Sequence, residues 1–134
     1  DECRAEYVSF ERLIRESDFI TIHSPLTEET KNMFGEREFA VMKRDAIIVN
    51  TARGGIIDER ALCAELRGGA IRGAALDATV SEPPYGEEIL TLPNCIVTPH
   101  AGAATKEASA KMSLMSARNV LDVLTTGECK YAVN

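Results

Sequence analysis

Arg53, Glu82 and His100 are the residues of this sequence whose types could jointly do chemistry. Arg53 sits in Asn50-Thr51-Ala52-Arg53-Gly54-Gly55, on a bend between the apolar run "AIIV" and a glycine pair. An arginine needed only for solubility fits any helix face, so one delivered by a strand end is aimed at something. Its planar fork holds a carboxylate through two parallel hydrogen bonds, which fixes orientation as well as charge. A histidine beside a carboxylate forms the usual general acid/base pair, because the acid orients the ring and favours its protonated form. Glu82 stands five residues after Asp77 in "DATVSEPP", where two prolines stop the chain from continuing as a helix. A carboxylate anchor combined with a proton donor suits the reduction of a keto group next to a carboxylate. Each residue alone also has a plainer reading. Arg53 can pair with a surface carboxylate, Asp77 can cap a turn, and His23 can be a strand-end histidine bonded to backbone.

The elements that would bring these residues together are legible in the apolar pattern. "FITI" at 19–22, "AIIV" at 46–49, "GAAL" at 73–76 and "CIVT" at 95–98 are short and continuous rather than alternating. Such runs predict strands of a parallel sheet covered on both faces by helices. Ser9 caps a predicted helix with Phe10, Leu13 and Ile14 on one face. Asp58 caps another that carries Leu62 and Leu66 and ends at Gly68-Gly69. "EREFAVM" holds a weaker helical turn, and 105–125 reads as a long helix closed by Gly127. Ala110, Leu114, Ala117, Leu121 and Leu124 draw a narrow apolar seam along it, which predicts close packing on another element. The even spacing of the strand starts at 19, 46 and 73 is the length of a βα unit. The expected class is α/β, a partial Rossmann-like doubly wound parallel sheet flanked by helices.

In such a sheet, ligands bind beyond the carboxyl ends of the strands. The residues following each run are His23-Ser24-Pro25, then Asn50-Thr51-Ala52-Arg53, then Asp77, then Pro99-His100-Ala101-Gly102. Polar or small residues thus collect at one edge. No arrangement of the nine glycines gives G-x-G-x-x-G, and the acidic ribose-binding residue that follows such a loop has no counterpart. The residues alone therefore describe half of a dinucleotide site.

Composition narrows the classes further. A chain of 134 residues is one domain by size, long enough to bury ~68% of its unfolded surface. The net charge of −6, with acids and bases interspersed, leaves no basic stripe for nucleic acid or an anionic membrane. No apolar run approaches the ~20 residues of a membrane span, and "DECRAEY" is too polar for a secretion signal. Cys3, Cys63, Cys95 and Cys129 show no C-x-x-C spacing, which favours free thiols in a reducing cytoplasm over a disulfide frame or a metal site.

"SDFITIHSPLTEETKNMF", "NTARGGIIDERAL", "GAIRGAALD", "SEPP" and "TPHAGAATKEAS" resemble, in order and spacing, the cofactor domain of the D-isomer-specific 2-hydroxyacid dehydrogenases. The phosphoglycerate dehydrogenase branch looks most similar, and the likeness runs from about residue 6 to the closing "YAVN". The resemblance implies that Arg53 holds the substrate carboxylate and keto oxygen, that His100 is the acid/base, and that Glu82 is its partner carboxylate. It implies NAD as cofactor, with Ser24, Thr51, Ala52, Arg53, Asp77, His100, Ala101, Gly102 and Ala103 lining it. It further implies a small 2-hydroxyacid or 2-keto acid as substrate and a homodimer in the cytoplasm.

Two departures stand out. Ala78-Thr79 follows Asp77 where the family usually has Val-Phe or a similar pair. The family's first two cofactor-domain strands are also missing; they lie between a strand matching "EYVS" and the one matching "FITI", so "FITI" is expected as an exposed apolar edge of a longer enzyme's fragment. Residues 1–104 are expected as the later part of a dinucleotide domain, and 105–134 as a helix and tail returning to a substrate domain. The same motifs fit dehydrogenase-like transcriptional co-repressors that sense NAD(H), although those usually carry an aromatic soon after the histidine. A purely structural role for the short chain is the third reading.

Overall fold

The computed structural model describes residues 5–132, which divide into two compact units, 5–100 and 101–132. The first unit runs α1 (Phe10–Glu16), β1 (Phe19–Ile22), α2 (Glu36–Phe39), β2 (Ile47–Asn50), α3 (Glu59–Gly68), β3 (Gly73–Leu76), a 3₁₀ turn (Glu88–Thr91) and β4 (Cys95–Val97). The strands lie in the order β1-β2-β3-β4, all parallel. The α/β expectation is met, and all four strands fall within a residue of the apolar runs that predicted them.

Local chemistry sets the helix ends. The Ser9 hydroxyl accepts from the Arg12 N–H at 3.2 Å and starts α1. One Asp58 carboxylate oxygen accepts from Arg60 and Ala61 at 3.0 and 3.1 Å and starts α3, which Gly69 ends at φ 67°. Residues 6–9, matched to a strand by resemblance, form no β pairing: Ser9 is committed to the cap, and Tyr7 is fully exposed.

The expectation that both sheet faces are covered needs correction. Ile20, Ile22, Ile48, Ala74 and Leu76 are buried with Leu62 and Leu66 of α3 in the core, yet Phe19 is 72% and Ile96 68% exposed. Burial alternates along β1 and β2. The cause is topological. Neighbouring parallel strands in chain order, joined by crossovers of one hand, carry every connection across the same face. β1 is also an edge strand, as expected, with a hollow of about 320 Å³ lined by Phe10, Phe19, Met33 and Phe34 among others.

The second unit contains α4 (Lys106–Thr126), capped by the Thr105 hydroxyl at 3.0 Å from the Ala108 N–H and closed by Gly127 at φ 78°. Its seam is not packed: Leu114, Leu121 and Leu124 are 59–77% exposed, since α4 is the one regular element of its unit among the described residues.

One backbone approach in the first unit admits no side chain. A Cβ built on Gly54 would meet the Thr79 carbonyl oxygen at 2.1 Å and the Val80 nitrogen at 2.6 Å, so the turn after β2 is pressed against the loop after β3. Gly68 has nothing within 4 Å of the same construction. Gly54→Ala should therefore cost ~1–3 kcal/mol through forced displacement. Gly68→Ala, in an open helical position, should instead stabilise by ~0.4–1 kcal/mol. Chemical denaturation of the two variants checks the difference in sign.

Candidate active site

The sheet register places the candidate residues. Ile22 pairs with Asn50 and Asn50 with Leu76, while Leu76 pairs with Val97. His23, Thr51, Asp77 and Thr98 are thus the first residues beyond one common row. The turn carrying Arg53 is shaped by Asn50, which is 1% exposed. Its side-chain amide donates to the Arg53 carbonyl at 2.8 Å, and its side-chain oxygen accepts from the Ala52 N–H at 3.0 Å. Asparagine at this strand end replaces the missing next strand residue as hydrogen-bond partner for the turning backbone.

Arg53 closes no ion pair among the described residues. Its Nη1 donates to the Ala52 carbonyl at 2.7 Å, which leaves the rest of the fork available. The plainer reading of Arg53, paired with a surface carboxylate, therefore does not hold. The arginine lines an open cleft of about 620 Å³ with His23, Ser24, Pro25, Thr51 and Ala52. His23 is held by a side chain rather than by backbone, with Nε2 at 2.9 Å from the Thr21 hydroxyl.

A second cleft, of about 260 Å³, is lined by Asp77, Thr79, Glu82, Thr98 and His100 with three prolines. Here His100 Nδ1 lies 2.9 and 3.0 Å from the two oxygens of Glu82. The partners come from different segments: Glu82 from the loop after β3, His100 from the end of β4. His100 is left-handed at φ 51°, a conformation uncommon for a residue with a side chain and concentrated at functional sites. The hydrogen bond with His100 holds the Glu82 carboxyl below its ordinary value of 4.5, and the charge of Arg53 lowers it slightly further.

The loop carrying Glu82 is itself tied down. Thr79 is 5% exposed, its hydroxyl donates to the Ser81 carbonyl at 2.7 Å, and its N–H donates to Glu82 at 3.4 Å. Thr79 and the wholly buried Ala78 are the pair that departs from the family pattern, and they supply packing and a tether. Asp77 accepts from the Thr98 hydroxyl at 2.5 Å, which links the ends of β3 and β4. Ala101, Gly102 and Ala103 fall in the second unit, in an exposed turn closed by the Ala104 N–H on the Ala101 carbonyl at 2.9 Å.

Sequence reading named every residue of both clefts that bears a charge and singled out Thr79 as a departure, but it missed Thr98, the tethering role of Thr79 and the inward role of Asn50. An asparagine at a strand end before a glycine turn was a usable signal for the last; Thr98 carried none. Cys63 is buried, while Cys95 and Cys129 are half-buried; burial raises the Cys63 thiol and pushes that of Cys95 up to about 11, so both stay protonated near neutrality. Cys3 lies outside the described residues. Among the described residues no cluster is suited to a metal and no helix is long and apolar enough to cross a membrane.

Chemically, the arrangement offers an oriented imidazole and a nearby guanidinium at one sheet edge. Comparison with known proteins gives it a lineage. Residues 1–102 match the model of the D-isomer specific 2-hydroxyacid dehydrogenase, NAD binding domain. The chain is 48% identical over 121 residues to a glyoxylate reductase of Thermococcus litoralis, covering 90% of this chain and 37% of that protein. It is 47% identical over 122 residues to a D-3-phosphoglycerate dehydrogenase of Methanocaldococcus jannaschii, covering 91% and 23%. A crystal structure of D-lactate dehydrogenase with NAD+ from Lactobacillus jensenii superposes with a TM-score of 0.85 at 33% identity, over 96% of this chain and 43% of that one. The chain thus spans well under half the length of these relatives. By its matched residues and its fold, the chain belongs to the NAD-binding domain family of the D-isomer specific 2-hydroxyacid dehydrogenases.

Proposed function

We propose that this chain forms the catalytic edge of an NAD-dependent oxidoreductase that interconverts a small D-2-hydroxyacid and its 2-keto acid. The observation that carries the reading is the His100–Glu82 pair at 2.9–3.0 Å on the same sheet edge as the open fork of Arg53. The donor set suits one side of a dinucleotide. Ser24, Thr51 and Ala52 border the larger cleft, and Asp77 borders the smaller; Ala101, Gly102 and Ala103 follow His100 directly in the chain. When bound, the nicotinamide supplies the hydride that reduces the keto carbon.

Arg53 binds the substrate carboxylate through its free fork and turns the keto oxygen toward the imidazole. His100 then delivers a proton from Nε2 to that oxygen, and in the oxidative direction it takes the proton back from the hydroxyl. Glu82 accepts from Nδ1, fixes the ring and stabilises the imidazolium. Names among the relatives, glyoxylate reductase and D-3-phosphoglycerate dehydrogenase, support a small carboxylic acid as substrate. The free thiols favour a cytoplasmic setting. The exposed leucines of α4 fit a homodimer.

His100→Ala in the complete enzyme should lower turnover by ~10² to 10⁴-fold. An unchanged rate with glyoxylate, hydroxypyruvate and 3-phosphoglycerate as trial substrates would refute the assignment. The pair also predicts a pH signature. The Glu82 pKa is depressed on folding, so its stabilisation is complete above 4.5 and is lost as pH falls below that value toward the folded one. Carboxyl NMR should show Glu82 titrating below 4.5, moving upward in His100→Ala.

A further inference from the structure

Glu59 opens α3, just after the capping Asp58, where an acidic side chain ordinarily does no more than face the helix dipole. Here it reaches elsewhere. Its Oε1 accepts from the Val80 backbone N–H at 2.7 Å, across 21 residues of chain. The adjoining N–H, of Thr79, donates to Glu82 at 3.4 Å. Two consecutive peptide nitrogens of the loop are thus held by two carboxylates, one of them in the acid/base pair. The same peptide unit is the surface on which Gly54 rests, with the Thr79 carbonyl 2.1 Å from a built Cβ. Gly54 is bonded to Arg53. The Thr79–Val80 peptide therefore abuts the turn that carries Arg53, the preceding N–H, of Thr79, holds Glu82, and Glu59 is the side chain that holds the Val80 nitrogen.

Burial raises the Glu59 carboxyl above its ordinary 4.5, with the Val80 N–H pulling it back, so the backbone bond favours the ionised form. A first-turn glutamate serving only the helix would stay in water and avoid that desolvation.

We propose that Glu59 is a positioning residue: by fixing the Thr79–Val80 peptide it sets the spacing between Arg53 and the Glu82–His100 pair. This rests on the catalytic reading given above. Three variants of the complete enzyme separate it from a merely structural role. Glu59→Asp keeps a carboxylate at the start of α3 but is one methylene short of Val80. Glu59→Gln keeps an oxygen at the right reach but loses the charge. Glu59→Ala loses both.

Misplacement of reacting groups by about an ångström costs up to ~10²-fold. Glu59→Asp and Glu59→Ala should therefore lower kcat/KM for the keto acid ~10- to 100-fold, with faster amide exchange at Val80 and an upward move in the Glu82 titration. Glu59→Gln should recover most of the rate and the Val80 protection. The proposal is overturned if Glu59→Asp keeps the wild-type rate with Val80 exposed to exchange. It is equally overturned if Glu59→Gln is as impaired as Glu59→Ala, which would make the charge on α3 the cause. Failure of the catalytic reading shows separately, as an unchanged rate in His100→Ala while Val80 exchange still responds to Glu59→Asp.

Discussion

Ile22, Asn50, Leu76 and Val97 stand in one row across the sheet, and that register decides where each polar group of the site emerges. Parallel pairing makes every strand end point the same way, so four separate turns open at one edge. A slip of one residue in any strand would swap its buried and exposed side chains and move its turn by one position. Burial of Ile20, Ile48 and Leu76 on the helix-covered face resists such a slip. The apolar core and the geometry of the site are therefore the same constraint seen from two sides.

Beyond the row, the site is built by loops leaning on one another. Asn50 folds the turn that offers Arg53, and Gly54 lets that turn touch the loop after β3. Thr98 bonds Asp77, and Glu82 takes His100 from the next strand end. Neither of the main functional side chains is deeply buried; Glu82 and His100 are each about two-fifths exposed. Their placement comes from short polar bonds between backbone segments, not from packing around the side chains.

That division explains what the sequence made readable. The apolar runs located the strands, and Ser9, Asp58, Gly69 and Gly127 announced helix ends, because caps act over three or four residues. Arg53, Glu82 and His100 were visible because their chemistry is distinctive at strand ends. Residues whose role depends on a distant partner were not: Glu59 meets Val80 and Thr98 meets Asp77, each across 21 positions. The two-faced covering predicted from continuous apolar runs also failed, because run composition does not reveal that all crossovers here share one face. The seam of α4 was legible as a helix face, although its leucines are exposed.

The central claim concerns which nitrogen of His100 faces Glu82 and which is left for the substrate. The geometry has Nδ1 as the donor to the carboxylate, with Nε2 free for proton exchange. Two-dimensional ¹H–¹⁵N correlation of the His100 ring, recorded for the neutral imidazole, tests this directly. The account predicts a protonated Nδ1 that loses its hydrogen-bonded character in Glu82→Ala, and an unprotonated Nε2. A neutral ring carrying its proton on Nε2, unaffected by Glu82→Ala, would contradict it.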